Sequence, residues 1–209
     1  MLLKKQIKSK KRVNDYGEVF TADKEVNAML DLVNDEIEKI DSTVLEPACG
    51  EGAFILKIFE RKMNIVKQYS WNGWIKEFMI LRAVSGIYGV DIQKDNVMIC
   101  RKKLFIKAQS YITNPTNGFT KMLHELIERN IICGNTISAS TISNKPLIFN
   151  EWFFKTNGEI LRKQVKYTDL LENDGECNSN KRSFKYDWMM KEKCNISNSI
   201  VLVKEVSND

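Results

Sequence analysis

The sequence predicts an α/β protein, and three observations carry that prediction. Helical and strand-like apolar patterns alternate along the chain with no internal repeat, which argues for a mainly parallel sheet covered by helices. Two short apolar runs, Val44-Leu45-Glu46 and Gly86 to Asp91, end in an acidic residue, and the first opens into Pro47-Ala48-Cys49-Gly50-Glu51-Gly52. With 209 residues and 43% hydrophobic content, the chain can bury one sizeable core.

The elements follow in order. Lys24 to Ile40 sets Val26, Met29, Leu30, Val33 and Ile37 on one helical face. Val44 to Leu45 begins the first strand, and Gly52 to Met63 reads as a helix that buries Phe54, Ile55, Ile58 and Phe59. After a less regular insertion with Trp71 and Trp74, Ile75 to Ser85 is a helix and Gly86 to Ile92 the second strand. Lys94 to Ala108 and Phe119 to Arg129 read as helices, Ile131 to Asn135 as the third strand and Pro146 to Asn150 as the fourth. Beyond it the pattern weakens. The mixed charges from Lys155 to Lys193 read as solvated surface, Asn173 to Ser183 as a polar loop and Ser199 to Lys204 as a last strand.

Composition narrows the class. No stretch approaches the roughly 18 uninterrupted apolar residues of a membrane helix, and Met1 to Lys5 lacks the apolar core of a secretory signal. The expectation is a soluble, cytoplasmic protein with no membrane partner. The five cysteines (Cys49, Cys100, Cys133, Cys177, Cys194) are odd in number and contain no CxxC pair, so neither a disulfide framework nor a metal site is expected. The net charge of +5 is uneven, because Lys4, Lys5, Lys8, Lys10, Lys11 and Arg12 crowd the start without an intervening acid. Such a run can touch phosphates; a solvated terminus is the commoner outcome.

Three strand ends form a constellation. Glu46 with Gly50 and Gly52 closes the first strand, Asp91 the second and Asn135 the third. In an open parallel sheet, ligands bind outside the carboxyl ends of the strands. A carboxylate after the second strand is placed to accept ribose hydroxyls, a polar side chain after the third can bond an adenine amine, and glycines let backbone approach the ligand. The turn is not GxGxxG, because Phe54-Ile55 stand where a third glycine would fall.

At these residues the chain resembles the S-adenosylmethionine-dependent methyltransferases, and among them the DNA adenine-N6 methyltransferases of restriction-modification systems. Glu46-Pro47-Ala48-Cys49-Gly50-Glu51-Gly52 is similar to the family's cofactor motif, an acid followed by Pro-Ala-Cys-Gly-x-Gly. Tyr16-Gly17-Glu18-Val19-Phe20-Thr21 resembles the segment that packs over the methionine half of the cofactor. Tyr88 to Ile92 resembles the ribose-binding strand and Ile131 to Asn135 the adenine-binding one. The resemblance implies a Rossmann-like methyltransferase fold with helices on both faces of the sheet. It implies S-adenosylmethionine as cofactor, held by Phe20, Thr21, Glu46, Ala48, Gly50, Gly52, Asp91, Ile92 and Asn135, and DNA as a partner.

The chain departs from the family in two places. The third strand ends in Asn135 where the family has aspartate; the amide still accepts a hydrogen bond but lacks the charge that strengthens it. The family's fourth strand ends Asn-Pro-Pro-Tyr or Asn-Pro-Pro-Phe, whose acceptors hold the protons of a poorly nucleophilic amine while the aromatic ring stacks on the extruded base. Here Asn150-Glu151-Trp152-Phe153 stands in that place. Asn150 and Phe153 keep the catalytic amide and the platform, while loss of both prolines frees the turn and adds two N–H groups where acceptors are wanted.

Three segments follow: a basic extension over 1–15, a methyltransferase-like cofactor-binding domain over 16–172, and a loop with a C-terminal extension over 173–209. The stretch after Phe153 is too short for the remaining strands and a DNA-recognition domain, so the fold is expected to be incomplete on its C-terminal side. Sequence recognition then falls to a specificity or second methylase subunit. Two functions are in play: a DNA adenine-N6 methyltransferase or methylase subunit, and a catalytically inactive cofactor- or DNA-binding subunit that needs a partner chain. His124 reads as a helix-surface residue, and Cys49, Trp71, Trp74, Trp152 and Trp188 read as packing residues.

Overall fold

The computed structural model describes residues 8–19, 21–68, 73–155, 158–172, 183–186 and 203–206. The predicted sites at Phe20, Trp71 and Trp188, with most of the 173–209 extension, lie outside the described residues.

A short helix α1 (Lys10–Tyr16) opens the described chain, capped by the Ser9 hydroxyl at its start and by Gly17 in the left-handed conformation at its end. The single helix expected over 24–40 is two: α2 (Asp23–Asp31) and α3 (Asn34–Ile37). The Arg61 guanidinium explains the break, because it bonds the Asn27 carbonyl oxygen, the Asp31 carboxylate and the Asn34 amide oxygen where the helix would have continued. Val26, Leu30 and Ile37 are buried as expected, whereas Met29 and Val33 face solvent.

Strand β1 (Val44–Glu46) leads through the glycine turn into α4 (Ala53–Lys67), then α5 (Gly73–Ser85), β2 (Ile87–Asp91), α6 (Lys94–Gln109), α7 (Asn117–Asn130) and β3 (Ile131–Asn135). β1 pairs with β2 and β2 with β3, both parallel. A two-residue strand, β4 (Ser140–Thr141), folds back antiparallel on β3, giving the order β1-β2-β3-β4. The α/β class and the mostly parallel sheet stand.

The long helices crowd one face of the sheet, and the other face is covered mainly by the segment from Leu147 onward. Successive residues of a strand point to opposite faces. Ile87 and Ile131 join one core with Ile55, Ile58, Phe59, Ile80, Leu81, Leu104, Phe119 and Leu126, which are the apolar sides of α4 to α7. Parallel strands added in one direction by crossovers of one hand place every crossover helix on the same side. The opposite face, Tyr88 and Val90, is closed by Leu147 and Phe149, with Tyr167 against Phe149.

The fourth strand is corrected. β5 (Ile148–Phe154) does not join the parallel sheet; it pairs antiparallel with β6 (Ile160–Lys166) through seven residues on each side. The short α8 (Tyr167–Glu172) follows, and β7 (Ser183–Tyr186) and β8 (Val203–Val206) extend this second sheet in the order β5-β6-β7-β8. The solvated reading of 155–193 fails at β6, because Ile160, Arg162 and Val165 are buried there. Trp152 ties the second sheet to the first core by donating its indole N–H to the Asn130 amide oxygen, while Asn130 in turn donates to the Ser85 carbonyl.

Two buried charged groups organise the helices. The Lys62 ammonium, fully buried on α4, shares its three N–H donors among four acceptors at 2.6 to 3.0 Å, the carbonyl oxygens of Lys39, Ile40 and Ser42 and the Ser42 hydroxyl. It thereby satisfies the acceptors that the chain exposes on leaving α3. The Glu77 carboxylate on α5 accepts the backbone N–H and the hydroxyl of Thr116 at the start of α7, where a negative charge meets the positive end of the helix dipole.

Candidate functional site

The parallel register brings the ends of β1 and β2 together. Glu46 sits opposite Gly89, and the turn that follows is tied back by the Cys49 N–H to the Val90 carbonyl at 2.9 Å. The Gly50 N–H then reaches Asp91 Oδ2 at 2.8 Å. The third strand joins through Thr136, whose hydroxyl donates to the Pro47 carbonyl at 3.4 Å. Glu46, Asp91 and Asn135 thus end three adjacent strands at one edge of the sheet.

The two glycines play different parts. Gly50 lies at φ 52° with nothing within 4 Å of the position a Cβ would take, so the space beside it is open. Gly52 lies at φ 91°, and a Cβ there would meet the Cys100 sulfur at 2.7 Å. Predicted as a cofactor contact, Gly52 has a packing reason of its own: it lets the turn close on α6. Cys49 and Cys100 are both buried, and the neighbouring Cys100 thiol and burial push the Cys49 thiol far above its usual range, so it stays protonated.

Asp91 is less free than its position in the sequence implies. Its Oδ1 accepts the Gln93 N–H at 2.7 Å and the Asn96 amide at 3.3 Å, and Oδ2 already holds Gly50. A carboxylate offers about four acceptor directions, so roughly one remains, on Oδ2. Asn135 is similarly engaged: its Oδ1 accepts the N–H groups of Ile137 and Ser138 in its own turn. Those donors fix the amide orientation, with the NH2 group pointing away from the turn. Glu46 Oε1 accepts the Ala48 N–H at 3.3 Å, and burial pushes its carboxyl above the ordinary range. Ala48 and Ile92 are exposed beside the turn, and Thr21 is half-buried.

The predicted catalytic residues stand elsewhere. Asn150 and Phe153 lie inside β5, not on a loop after a parallel strand. The Asn150 backbone carbonyl accepts the Tyr88 hydroxyl at 2.6 Å, and its side-chain oxygen is buried without a hydrogen-bond partner. Phe153, half exposed, lines a cavity of about 490 Å³ with Leu45, Tyr88, Phe149 and Trp152, a lining that includes none of Glu46, Gly50, Asp91 or Asn135. His124 is exposed on α7 against the edge of Phe105.

A charged cluster that the motif reading did not single out gathers around Asn96, the amide that bonds Asp91. Lys8 lies 2.9 Å from Glu51 and 3.0 Å from Asp95, and Arg12 binds both oxygens of Asp95 and reaches Glu18. Two of the six basic residues of the opening run are therefore spent inside the chain. The Arg12 bonds hold the Asp95 carboxyl far below the usual carboxylate range. The available signal was Asp95-Asn96, an acid and an amide in the first turn of α6, four and five residues after the strand-ending Asp91.

No protein-family profile, curated protein or solved structure matches the chain. Among the described residues, no helix is long and apolar enough to cross a membrane.

Proposed function

We propose that the chain binds S-adenosylmethionine across the carboxyl ends of β1, β2 and β3, as a methylase subunit of the DNA adenine-N6 type in a restriction-modification system. The observation that carries this reading is the convergence of Glu46, Asp91 and Asn135 on one sheet edge around the open Gly50 turn. The remaining acceptor direction of Asp91 takes one ribose hydroxyl, the exposed Ile92 offers an apolar contact to the adenine face, and the Asn135 NH2 donates to a ring nitrogen. Because the Asn135 oxygen is committed to its own turn, this last contact has the opposite polarity to the one expected from the sequence.

The placement of Asn150 favours the reading in which transfer needs another chain. A group that accepts protons from a target amine must face the substrate, and the Asn150 acceptors are turned inward. The chain then holds the methyl donor, and a specificity or second methylase subunit brings the DNA and completes the catalytic loop. Calorimetry with S-adenosylmethionine, alone and with duplex DNA, tests the first claim, and a methyl-transfer assay on the same samples tests the second. Heat of binding without transfer is the expected result; absence of binding overturns the cofactor site, and turnover by the isolated chain overturns the need for a partner.

A further inference from the structure

We infer that the N-terminal helix α1 is an electrostatic strap that sets the Asp91 carboxylate through Asn96. An unbroken path of hydrogen bonds runs from the helix to the glycine turn. Arg12 holds Glu18, the Glu18 Oε1 accepts the Asn96 amide at 2.6 Å, the same amide reaches Asp91 Oδ1 at 3.3 Å, and Asp91 Oδ2 holds the Gly50 N–H. Lys8 closes the loop from the other side by donating to the Asn96 amide oxygen at 2.5 Å. Asn96 is only 1% exposed, so its amide cannot turn to water if these partners leave.

The chemistry explains why the middle position holds an amide. Glu18 and Asp91 both need a donor, Lys8 needs an acceptor, and a carboxamide supplies both from one planar group. A carboxylate there would face two like charges. Arg12 bridges Glu18 and Asp95, so the strap is anchored to α6 at a second point beside Asn96. Asn96 is a positioning residue, and Arg12 acts through it. Ligand affinity at Asp91 rests on the cofactor reading given above; the geometry of Asp91 does not.

The test is amide hydrogen exchange at Gly50 and Gln93, the two backbone donors to Asp91, in the full chain and in Arg12→Ala, Arg12→Lys, Asn96→Ala and the Arg12→Ala/Asn96→Ala double variant. Arg12→Ala and Asn96→Ala are expected to speed exchange at both amides on the order of tenfold, as the loss of one charge-assisted bond implies. Arg12→Lys should recover part of the protection, because it keeps the charge but not the fork that spans Glu18 and Asp95. The double variant should be no worse than the more severe single one, because both changes cut one path. High salt should speed exchange more in the native chain than in Arg12→Ala, which keeps only the Lys8 ion pairs, a difference that a packing defect does not give. Unchanged exchange in Arg12→Ala, or additive effects in the double variant, overturns the strap. S-adenosylmethionine calorimetry on the same variants should show affinity falling in parallel; a native chain that binds none removes the cofactor reading, while the exchange data still decide the strap.

Discussion

Asp91 Oδ2 accepts the Gly50 N–H at 2.8 Å, so the acid that ends the second strand holds the glycine turn of the first. One carboxylate is therefore a structural clamp as well as the proposed ligand group. Asp91→Ala is expected to weaken S-adenosylmethionine binding at least tenfold and also to lower stability by about 1.5 to 3 kcal/mol, the usual worth of a hydrogen bond to a charged group. Calorimetry and urea unfolding read the two effects separately. Weakened binding at native stability would mean that Asp91 does not clamp the turn.

Gly50 and Gly52 make opposite predictions although they sit two residues apart. Gly50→Ala meets no neighbour and costs only the left-handed backbone, about 1 kcal/mol, yet it places a methyl group in the open space where a ligand would lie. Gly52→Ala drives a Cβ to 2.7 Å from the Cys100 sulfur and is expected to cost about 2 to 4 kcal/mol through overpacking and backbone strain. Adding Cys100→Ala should restore part of that loss in urea melts. No recovery would show that backbone strain alone sets the cost.

The strand-ending acids and the three parallel strands were legible because each needs only local pattern: an apolar run, an acid, a glycine turn. The second sheet was not, because β6 carries Arg162 and Gln164 at positions where a half-buried strand normally shows apolar residues. Arg162 is buried against its cross-strand neighbour Trp152 and 3.5 Å from Glu125, and the second of these contacts comes from a helix far away in sequence. The α2–α3 break was hidden for a similar reason, since the Arg61 that fills it comes from the next helix but one. The candidate site was half legible. Positions could be read, but which lone pairs of Asp91 and Asn135 were already taken depends on amides brought in by folding.

Lys62 supplies a pH signature. Burial lowers its ammonium to a pKa of about 8 from the ordinary 10.5. Between those values the unfolded chain binds more protons than the folded one, so this group makes stability rise with pH from about 8 towards 10.5. Lys62→Met should remove that rise. It should also destabilise the fold at pH 7 by about 2 to 4 kcal/mol, because three backbone carbonyls and a hydroxyl lose their donor. Urea midpoints for both proteins at pH 7.5 and 10 decide it; identical slopes with pH would exclude a titrating Lys62.

Asn150 separates the two functional readings by stability as well as by activity. Its side-chain oxygen is buried without a partner in the middle of β5, a position that costs folding free energy and favours a β-branched residue. Asn150→Val is therefore expected to be neutral or to stabilise the chain by up to about 1 to 2 kcal/mol, and to leave S-adenosylmethionine affinity unchanged. A residue kept for catalysis behaves differently: its replacement abolishes methyl transfer measured with the proposed partner subunit present. Destabilisation by Asn150→Val of more than about 1 kcal/mol would instead show that the amide makes a bond worth keeping inside the second sheet. Thermal melts, binding heats and transfer assays on this one variant distinguish a catalytic amide from an unsatisfied core polar group.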